Sequence, residues 1–211
     1  MKIALCLSGI PRFWETFNLD DYGEVDVFIH SWKESWSDNT CCKNNYPNSK
    51  GLNYSWNSDI LDKLNPKKVQ IESLEDYKPY FEKIKSYFRI NEGNCRDSVI
   101  PMFCSLYKSV QLAVTGNYDT IIRSRFDIRF LQRIKYIESN TIKIPDQFHY
   151  LGICDQFAYG PAALMNKYSK PYLYLGECPD IQLNPEIILK SFLRKQRLQT
   201  TLTNDEFVIL R

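Results

Sequence analysis

Short apolar runs of strand length alternate along this chain with longer segments in which apolar residues recur at helical spacing. Residues 2–7 form a continuous apolar run, which is typical of a strand buried on both faces of a parallel sheet, and the apolar and β-branched character of residues 118–122 indicates another buried strand. Residues 99–115 carry apolar side chains at steps of three and four, which indicates a helix with one buried face. The alternation predicts an α/β domain with a central, mostly parallel mixed sheet of about six strands, flanked by helices.

The same pattern assigns the other elements, and their ends follow the usual turn and capping residues. Asn184 is expected to cap the last helix and Pro185 to begin it. The last two strands are expected to form a hairpin. Strands are predicted at residues 2–7, 25–30, 68–72, 118–122, 142–144, 148–151, 155–160, 199–203 and 207–210. Helices are predicted at residues 13–17, 58–64, 73–88, 99–115, 131–139, 162–174 and 186–197.

Charged residues follow the central strand 118–122 in a regular pattern. Arg123, Arg125, Asp127 and Arg129 occupy alternate positions, and in an extended segment alternate side chains share one face. Arginines bind a diphosphate through paired hydrogen bonds, and a carboxylate holds a divalent cation that bridges phosphate oxygens. The pattern therefore predicts a diphosphate site at the end of this strand. The plainer interpretation is a salt-bridged strand end.

The loop after the first strand contains Ser8, Gly9 and Arg12. Ligands of open α/β sheets bind beyond the carboxyl ends of the strands, so Gly9 would admit a ligand and Arg12 would reach a phosphate. An ordinary turn with a surface arginine explains the same residues. His30 closes the second strand, where hydrogen bonding to its neighbours is the favoured interpretation. Lys108 lies in the middle of a predicted helix and is expected on its surface.

Residues 33–57 are polar and lack periodicity, which predicts a long loop over a site. This segment contains four aromatic residues that would either stack on a sugar or base or anchor the loop: Trp36, Tyr46, Tyr54 and Trp56.

Composition narrows the class of protein. The 211 residues are 44% hydrophobic and 14% aromatic, enough for the core of one domain. Because 27 Lys and Arg residues balance 25 Asp and Glu residues, the charge does not favour a nucleic-acid partner. No apolar run is long enough to span a membrane, and no signal peptide is evident. The final residues have strand character, so we expect a domain, residues 1–211, excised from a longer polypeptide whose other domains are its partners.

The seven cysteines are irregularly spaced and include no Cys-x-x-Cys pair. This argues against a zinc site or a redox motif. Cys6, Cys104 and Cys154 lie in apolar runs and are expected to be buried core residues. We therefore expect a reduced protein of the cytoplasm.

Five segments together resemble the GT-A class of nucleotide-sugar glycosyltransferases, which have a Rossmann-like fold. The similarity is greatest to the N-terminal glycosyltransferase domains of chlorella-virus multidomain proteins implicated in capsid-glycan synthesis. Each segment is modestly specific, and their order and spacing are more so. The segments are Leu7-Ser-Gly-Ile-Pro-Arg12, Val27-Phe-Ile-His-Ser-Trp32, Ser105-Leu-Tyr-Lys108, Ile121-Ile-Arg-Ser-Arg-Phe-Asp127 and Asp155-Gln-Phe-Ala-Tyr-Gly160.

The resemblance implies a hexosyltransferase that takes a UDP-sugar and a glycan acceptor. Such enzymes hold Mn²⁺ or Mg²⁺ with an Asp-x-Asp motif at the end of a central strand. The matching triplet here begins with Arg125, so only Asp127 carries over as a metal ligand. Ser8, Gly9, Arg12 and Arg123 are then expected to contact the nucleotide or its phosphates, and Arg125 to supply positive charge.

An inverting transfer also needs a carboxylate to deprotonate the acceptor hydroxyl. Asp155, at a strand junction, is the first candidate for this base, and Glu186 is the second. Two other functions fit the sequence less well. One is a catalytically silent nucleotide-sugar or glycan-binding module, favoured by the missing first aspartate. The other is a nucleotidyltransferase, which would normally use more than one carboxylate for its metals.

Overall fold

A seven-stranded sheet forms the centre of the computed structural model, which describes residues 1–33, 56–88, 98–136, 139–177 and 182–210. The strand order is β3-β2-β1-β4-β7-β6-β8, and a separate two-stranded ribbon pairs β5 with β9. Strands β3, β2, β1 and β4 are parallel, while β7 runs antiparallel to both of its neighbours. The strands are β1 Ile3–Ser8, β2 Asp26–Trp32, β3 Lys68–Glu72, β4 Thr120–Ser124, β5 Ile128–Phe130, β6 Ile142–Pro145, β7 Ala158–Pro161, β8 Thr200–Thr203 and β9 Phe207–Ile209.

The expected α/β fold with a mostly parallel mixed sheet is confirmed. The longest described helix packs on β1 and β2 with the face that its apolar spacing predicts. The last helix begins as expected, because the Asn184 side chain accepts a hydrogen bond from the Ile187 N–H at 3.0 Å. The helices are α1 Asp59–Leu64, α2 Lys78–Lys85, α3 Val99–Val114, α4 Ala162–Tyr168, α5 Pro171–Tyr174 and α6 Pro185–Lys195.

The strand order sets where a ligand can bind. From β1 the chain moves outward through β2 and β3, and then returns to place β4 on the other side of β1. The carboxyl ends of β1 and β4 are therefore neighbours whose following loops diverge. In open α/β sheets such a reversal creates a crevice that receives ligands. We call the region between these two strand ends the switch point.

Four predicted features differ from the structure, and in the first of them tertiary pairing overrides the local pattern. The last two strands do not form a hairpin, because β8 pairs with β6 in the main sheet and β9 pairs with β5. Residues 148–151 form a turn, not a strand, with left-handed backbone at Phe148, Tyr150 and Leu151. The described part of residues 131–139 is irregular, not helical. The segment Phe13–Phe17 is reduced to a single 3₁₀ turn, Trp14–Thr16.

The described cysteines behave as predicted, since Cys6, Cys104 and Cys154 are free and buried. Cys41, Cys42, Cys95 and Cys178 lie outside the described residues. Within the described segments, no helix has the length and apolar character needed to cross a membrane.

Gly152 lies three residues before Asp155, where the chain passes very close to the backbone of Glu186. A Cβ atom at this position would lie 2.0 Å from the backbone carbon of Glu186. We therefore expect Gly152→Ala to lower the free energy of unfolding by about 2 to 3 kcal/mol, because backbone must move to admit the methyl group. Gly176→Ala is the matched control, since its added carbon would come no closer than 3.8 Å to any neighbour. Urea denaturation measures both variants, and an equal loss in the two would contradict this packing.

Candidate functional site

The turn after β4 brings together Arg125 and Asp127. β4 ends at Ser124, and Phe126 enters the core, so that the side chains on either side of it meet. Arg125 donates to both carboxylate oxygens of Asp127, from Nε at 2.7 Å and from Nη2 at 2.5 Å. The Arg125 side chain is 28% exposed and that of Asp127 is 6% exposed. This paired hydrogen bond is the strong geometry of arginine and carboxylate.

Two other parts of the chain hold this turn in place. The Tyr22 hydroxyl hydrogen-bonds to the Ser124 hydroxyl at 2.8 Å in the protein interior. The N–H of Leu210 donates to the backbone carbonyl of Asp127 at 2.9 Å, as an extension of the β5–β9 pairing. The position of the ion pair is therefore set by residues that are distant in sequence. Tyr22 lies about a hundred residues before it, and Leu210 lies about eighty residues after it.

Arg123 is fully buried within β4, and none of its three guanidinium nitrogens has a hydrogen-bond partner among the described residues. Burial lowers the pKa of Arg123, and the negative charge of Asp155 opposes that effect. An arginine nevertheless stays protonated in proteins, so a positive charge is enclosed here. A buried charge without hydrogen bonds destabilises a fold, and such costs cluster at functional sites.

Asp155 is buried close to both arginines. Burial lowers the pKa of Arg125, but the ion pair with Asp127 and the charge of Asp155 outweigh burial, so the pKa is raised. The charges of Arg123, Arg125, Asp127 and Asp155 thus form one cluster at the carboxyl end of β4, which we call the charge cluster. Arg129 does not belong to it, because its side chain is exposed on β5. The expected face of four alternating residues was wrong, since the strand breaks at Arg125.

Glu186, the second candidate for a base, lies in the first turn of α6 and is buried. Its backbone carbonyl accepts a hydrogen bond from Ile153, two residues before Asp155. Asp155 acts on the pKa of both Arg123 and Arg125 and therefore takes part in the charge cluster.

The loop after β1 lies on the other side of the switch point. Gly9 has a left-handed φ of 97°, and the space where a side chain would begin is open. Its N–H donates to the Ser105 hydroxyl at 2.8 Å, so Gly9 offers a ligand room and not a free donor. The Ser8 hydroxyl is buried and has no hydrogen-bond partner among the described residues. Arg12 is half-buried in the same loop.

His30 joins a second polar cluster at the same edge of the sheet. Its Nε2 lies 2.8 Å from Glu72 at the end of β3, and Glu72 also pairs with Lys108 of α3 and accepts from the Tyr77 hydroxyl at 2.7 Å. Burial raises the pKa of Glu72, but hydrogen bonds from His30, Lys108 and Tyr77 outweigh burial and lower it to about 2. Glu72 is thus a carboxylate at neutral pH.

Several of these partners were not found from the sequence. The prediction that His30 hydrogen-bonds its neighbours agrees with the structure, whereas Lys108 is tied to Glu72 and not simply solvated. Glu72, Tyr77 and Tyr22 were not singled out. Glu72 had one usable signal, because it ends a strand of a sheet predicted to be mostly parallel, and the carboxyl ends of parallel strands share one edge of the sheet.

Most of the aromatic residues that were predicted to cover a site lie outside the part of the chain that the structure describes. Trp36, Tyr46 and Tyr54 lie outside the described residues. Trp56 is half-buried and packs against the hydrophobic core.

Replacing Arg123 tests whether its charge is retained at the expense of stability. We expect Arg123→Met to raise the free energy of unfolding by about 1 to 3 kcal/mol, because a buried charge is exchanged for an apolar chain of similar length. Thermal and urea unfolding measure the change, with Arg129→Met on exposed β5 as the control. A loss of stability in Arg123→Met would show that the guanidinium is well paired in solution.

The pH dependence of stability tests the burial of His30. Burial lowers the pKa of His30 from 6.5 to about 4, against the opposing effect of Glu72. Between these values the unfolded chain binds a proton that the folded chain does not, so stability falls as the pH drops from 6.5 to 4. The His30 contribution is about 3 kcal/mol.

We therefore expect His30→Gln to show a shallower decline of unfolding free energy over this pH range than the unsubstituted protein. Identical slopes in the two proteins would contradict a buried, neutral His30.

Comparison with known proteins adds little to this description. No protein-family model matches the chain, and no curated protein matches it in sequence. Among solved structures it is similar to mouse xyloside xylosyltransferase 1 in the apo form, with 8% sequence identity and a TM-score of 0.44. That alignment covers 96% of this chain and 84% of the mouse chain. A similarity of this size does not indicate what the chain binds or which reaction it catalyses.

Proposed function

We propose that this chain is a glycosyltransferase that binds a UDP-sugar at the switch point and transfers the sugar to a glycan acceptor. The observation that carries this proposal is the charge cluster, which lies at the carboxyl end of β4 and beside the open loop at Gly9. Guanidinium groups at a reversal of strand order are suited to a nucleoside diphosphate. The choice of UDP, and of a viral capsid glycan as product, rests on the motif resemblance alone.

The two arginines are suited to the electrostatic part of such a reaction. Transfer breaks the bond between the anomeric carbon and the diphosphate, so negative charge grows on the leaving group. Arg125 is partly exposed, and because its Nε and Nη2 donate to Asp127, its Nη1 is the group that can donate to that diphosphate. Arg123 is fully buried and acts as a fixed positive charge behind it. Charges preorganised in a poorly solvated site stabilise the transition state more strongly than they would in water.

Asp155 is proposed to act on the acceptor side. In an inverting reaction its carboxylate would take the proton of the attacking hydroxyl, and in a retaining reaction it would bind the acceptor. Its closeness to both arginines places it within the same charge cluster. Glu186 remains the second candidate.

The residues as arranged do not fit a bound divalent cation. Asp127, the expected ligand of Mn²⁺ or Mg²⁺, has both oxygens engaged by Arg125. Across the described segments, no group of three or more His, Cys, Asp and Glu side chains is placed to hold a metal ion. Metal dependence therefore stays a prediction, and the chemistry proposed here runs through the guanidinium groups.

A catalytically silent nucleotide-sugar-binding module is the second candidate function. The ion pair between Arg125 and Asp127 favours it, because it occupies the one carboxylate that the motif resemblance assigns to a metal. The two functions differ in turnover. An enzyme would release UDP from a UDP-sugar, if only by slow hydrolysis, whereas a binding module would hold the donor unchanged.

Calorimetric titration with UDP tests the proposed site. We expect UDP to bind in the presence of EDTA, and Arg125→Ala to weaken binding by at least about tenfold, because a charge-assisted contact contributes 1.5 to 3 kcal/mol. Arg123→Met should also weaken binding while the protein stays folded. Arg129→Ala is the matched control, since its side chain is exposed outside the charge cluster, and it should bind UDP like the unsubstituted protein.

A parallel titration with Mn²⁺ measures what the cation adds, and Asp127→Ala should remove any such gain. Thermal-shift measurements with GDP and CMP test the choice of base, because a ligand that binds only the folded state raises its stability. A protein that binds none of these nucleotides, with or without Mn²⁺, would contradict the proposed function.

A further inference from the structure

A buried hydrogen-bond chain connects helix α3 to the loop after β1. The Ser105 hydroxyl lies 2.8 Å from the Gly9 nitrogen, 2.9 Å from Nδ1 of His30 and 3.0 Å from the His30 carbonyl oxygen. A serine inside a helix usually bonds to a carbonyl of its own helix. Ser109, one turn later, does so with Leu106 at 2.9 Å. Ser105 instead reaches across to β1 and β2.

The protonation of His30 sets the direction of this chain. Glu72 is ionised and can only accept, so Nε2 of His30 must carry the proton that it donates. Because burial keeps His30 neutral, Nδ1 is then an acceptor. The single proton of Ser105 is therefore shared between two acceptors of His30, Nδ1 and the carbonyl oxygen, while the Ser105 oxygen accepts the N–H of Gly9. Gly9 thus donates to Ser105, and Ser105 donates to His30. The other ring nitrogen of His30, Nε2, donates to Glu72.

An ion pair stabilises the Glu72 end of the hydrogen-bond chain. Glu72 is paired with Lys108, which lies one turn beyond Ser105 on the same face of α3. Burial lowers the pKa of Lys108, but its hydrogen bonds to Glu72 and Tyr77 outweigh burial and raise it, so both members stay charged. Helix α3 thus fixes both ends of the hydrogen-bond chain, because Lys108 binds Glu72 and Ser105 binds Gly9.

We propose that Ser105 and His30 are positioning residues of the nucleotide site, which hold Gly9 in its left-handed conformation so that the loop after β1 stays open to the diphosphate. This inference rests on the proposed function. Gly9 has open space at its Cβ position, and its N–H is directed away from that space toward α3. Loss of the Ser105 hydroxyl would leave the Gly9 N–H with only its longer hydrogen bond to the His30 carbonyl oxygen, at 3.3 Å, and the loop would be held less firmly.

Ser105→Ala and Ser109→Ala form a matched pair, because both remove a buried hydroxyl from the same helix. We expect Ser105→Ala to weaken UDP binding by about five- to tenfold, the factor for one buried hydrogen bond. Ser109→Ala should bind UDP within about twofold of the unsubstituted protein. Ser105→Cys, similar in size but a weaker acceptor, should fall between them, and it serves if Ser105→Ala fails to fold.

Amide hydrogen exchange of Gly9, measured by NMR without any ligand, separates this inference from the proposed function. Protection of Gly9 should fall in Ser105→Ala and persist in Ser109→Ala. If the unsubstituted protein binds no nucleotide, the proposed function fails while the exchange result still tests the hydrogen bond. If the protein binds UDP but Ser105→Ala binds it equally well, or if both variants weaken binding to the same extent, the positioning role is wrong and the proposed function stands.

Discussion

The enclosed positive charge of Arg123 is the constraint around which the rest of the site is arranged. Its guanidinium is fully buried with no hydrogen-bond partner among the described residues, and the negative charge of Asp155 opposes the effect of burial on its pKa. An apolar side chain would suit this buried position of β4 better. The fully buried side chains of Ile121, Ile122 and Leu5 provide packing that offsets this cost. A destabilising side chain that persists in a fold indicates a functional site at that place.

Two polar clusters lie at the same edge of the sheet, and Gly9 stands between them. β1 neighbours β2 on one side and β4 on the other, so its carboxyl end meets both the His30–Glu72 cluster and the charge cluster. The first cluster is internally satisfied and fixes the loop. The second sets two arginines against two carboxylates. A rigid loop beside fixed guanidinium groups suits a diphosphate ligand, because an ordered site loses little entropy on binding.

The sequence predicted most of what depends on local pattern. The apolar runs located β1, β2, β3 and β4, and the spacing in α3 and the Asn184 cap located two helices. It failed where distant segments compete for the chain. Arg125 and Asp127 were expected along a continuing strand, but burial of Phe126 and the pairing of β9 with β5 turn the backbone there. No periodicity encodes such a contact, and for the same reason Glu72 and Tyr22 went unnoticed.

The central claim is that the diphosphate of a nucleotide binds at Arg125, beside its ion pair with Asp127. A crystal structure of the complex with UDP tests this claim most directly. We expect the diphosphate beyond the ends of β1 and β4, with its oxygens about 3 Å from the Arg125 guanidinium and the Gly9 loop in the conformation described above. A nucleotide bound elsewhere, with the Arg125–Asp127 pair unchanged and no ligand atom near it, would contradict the central claim.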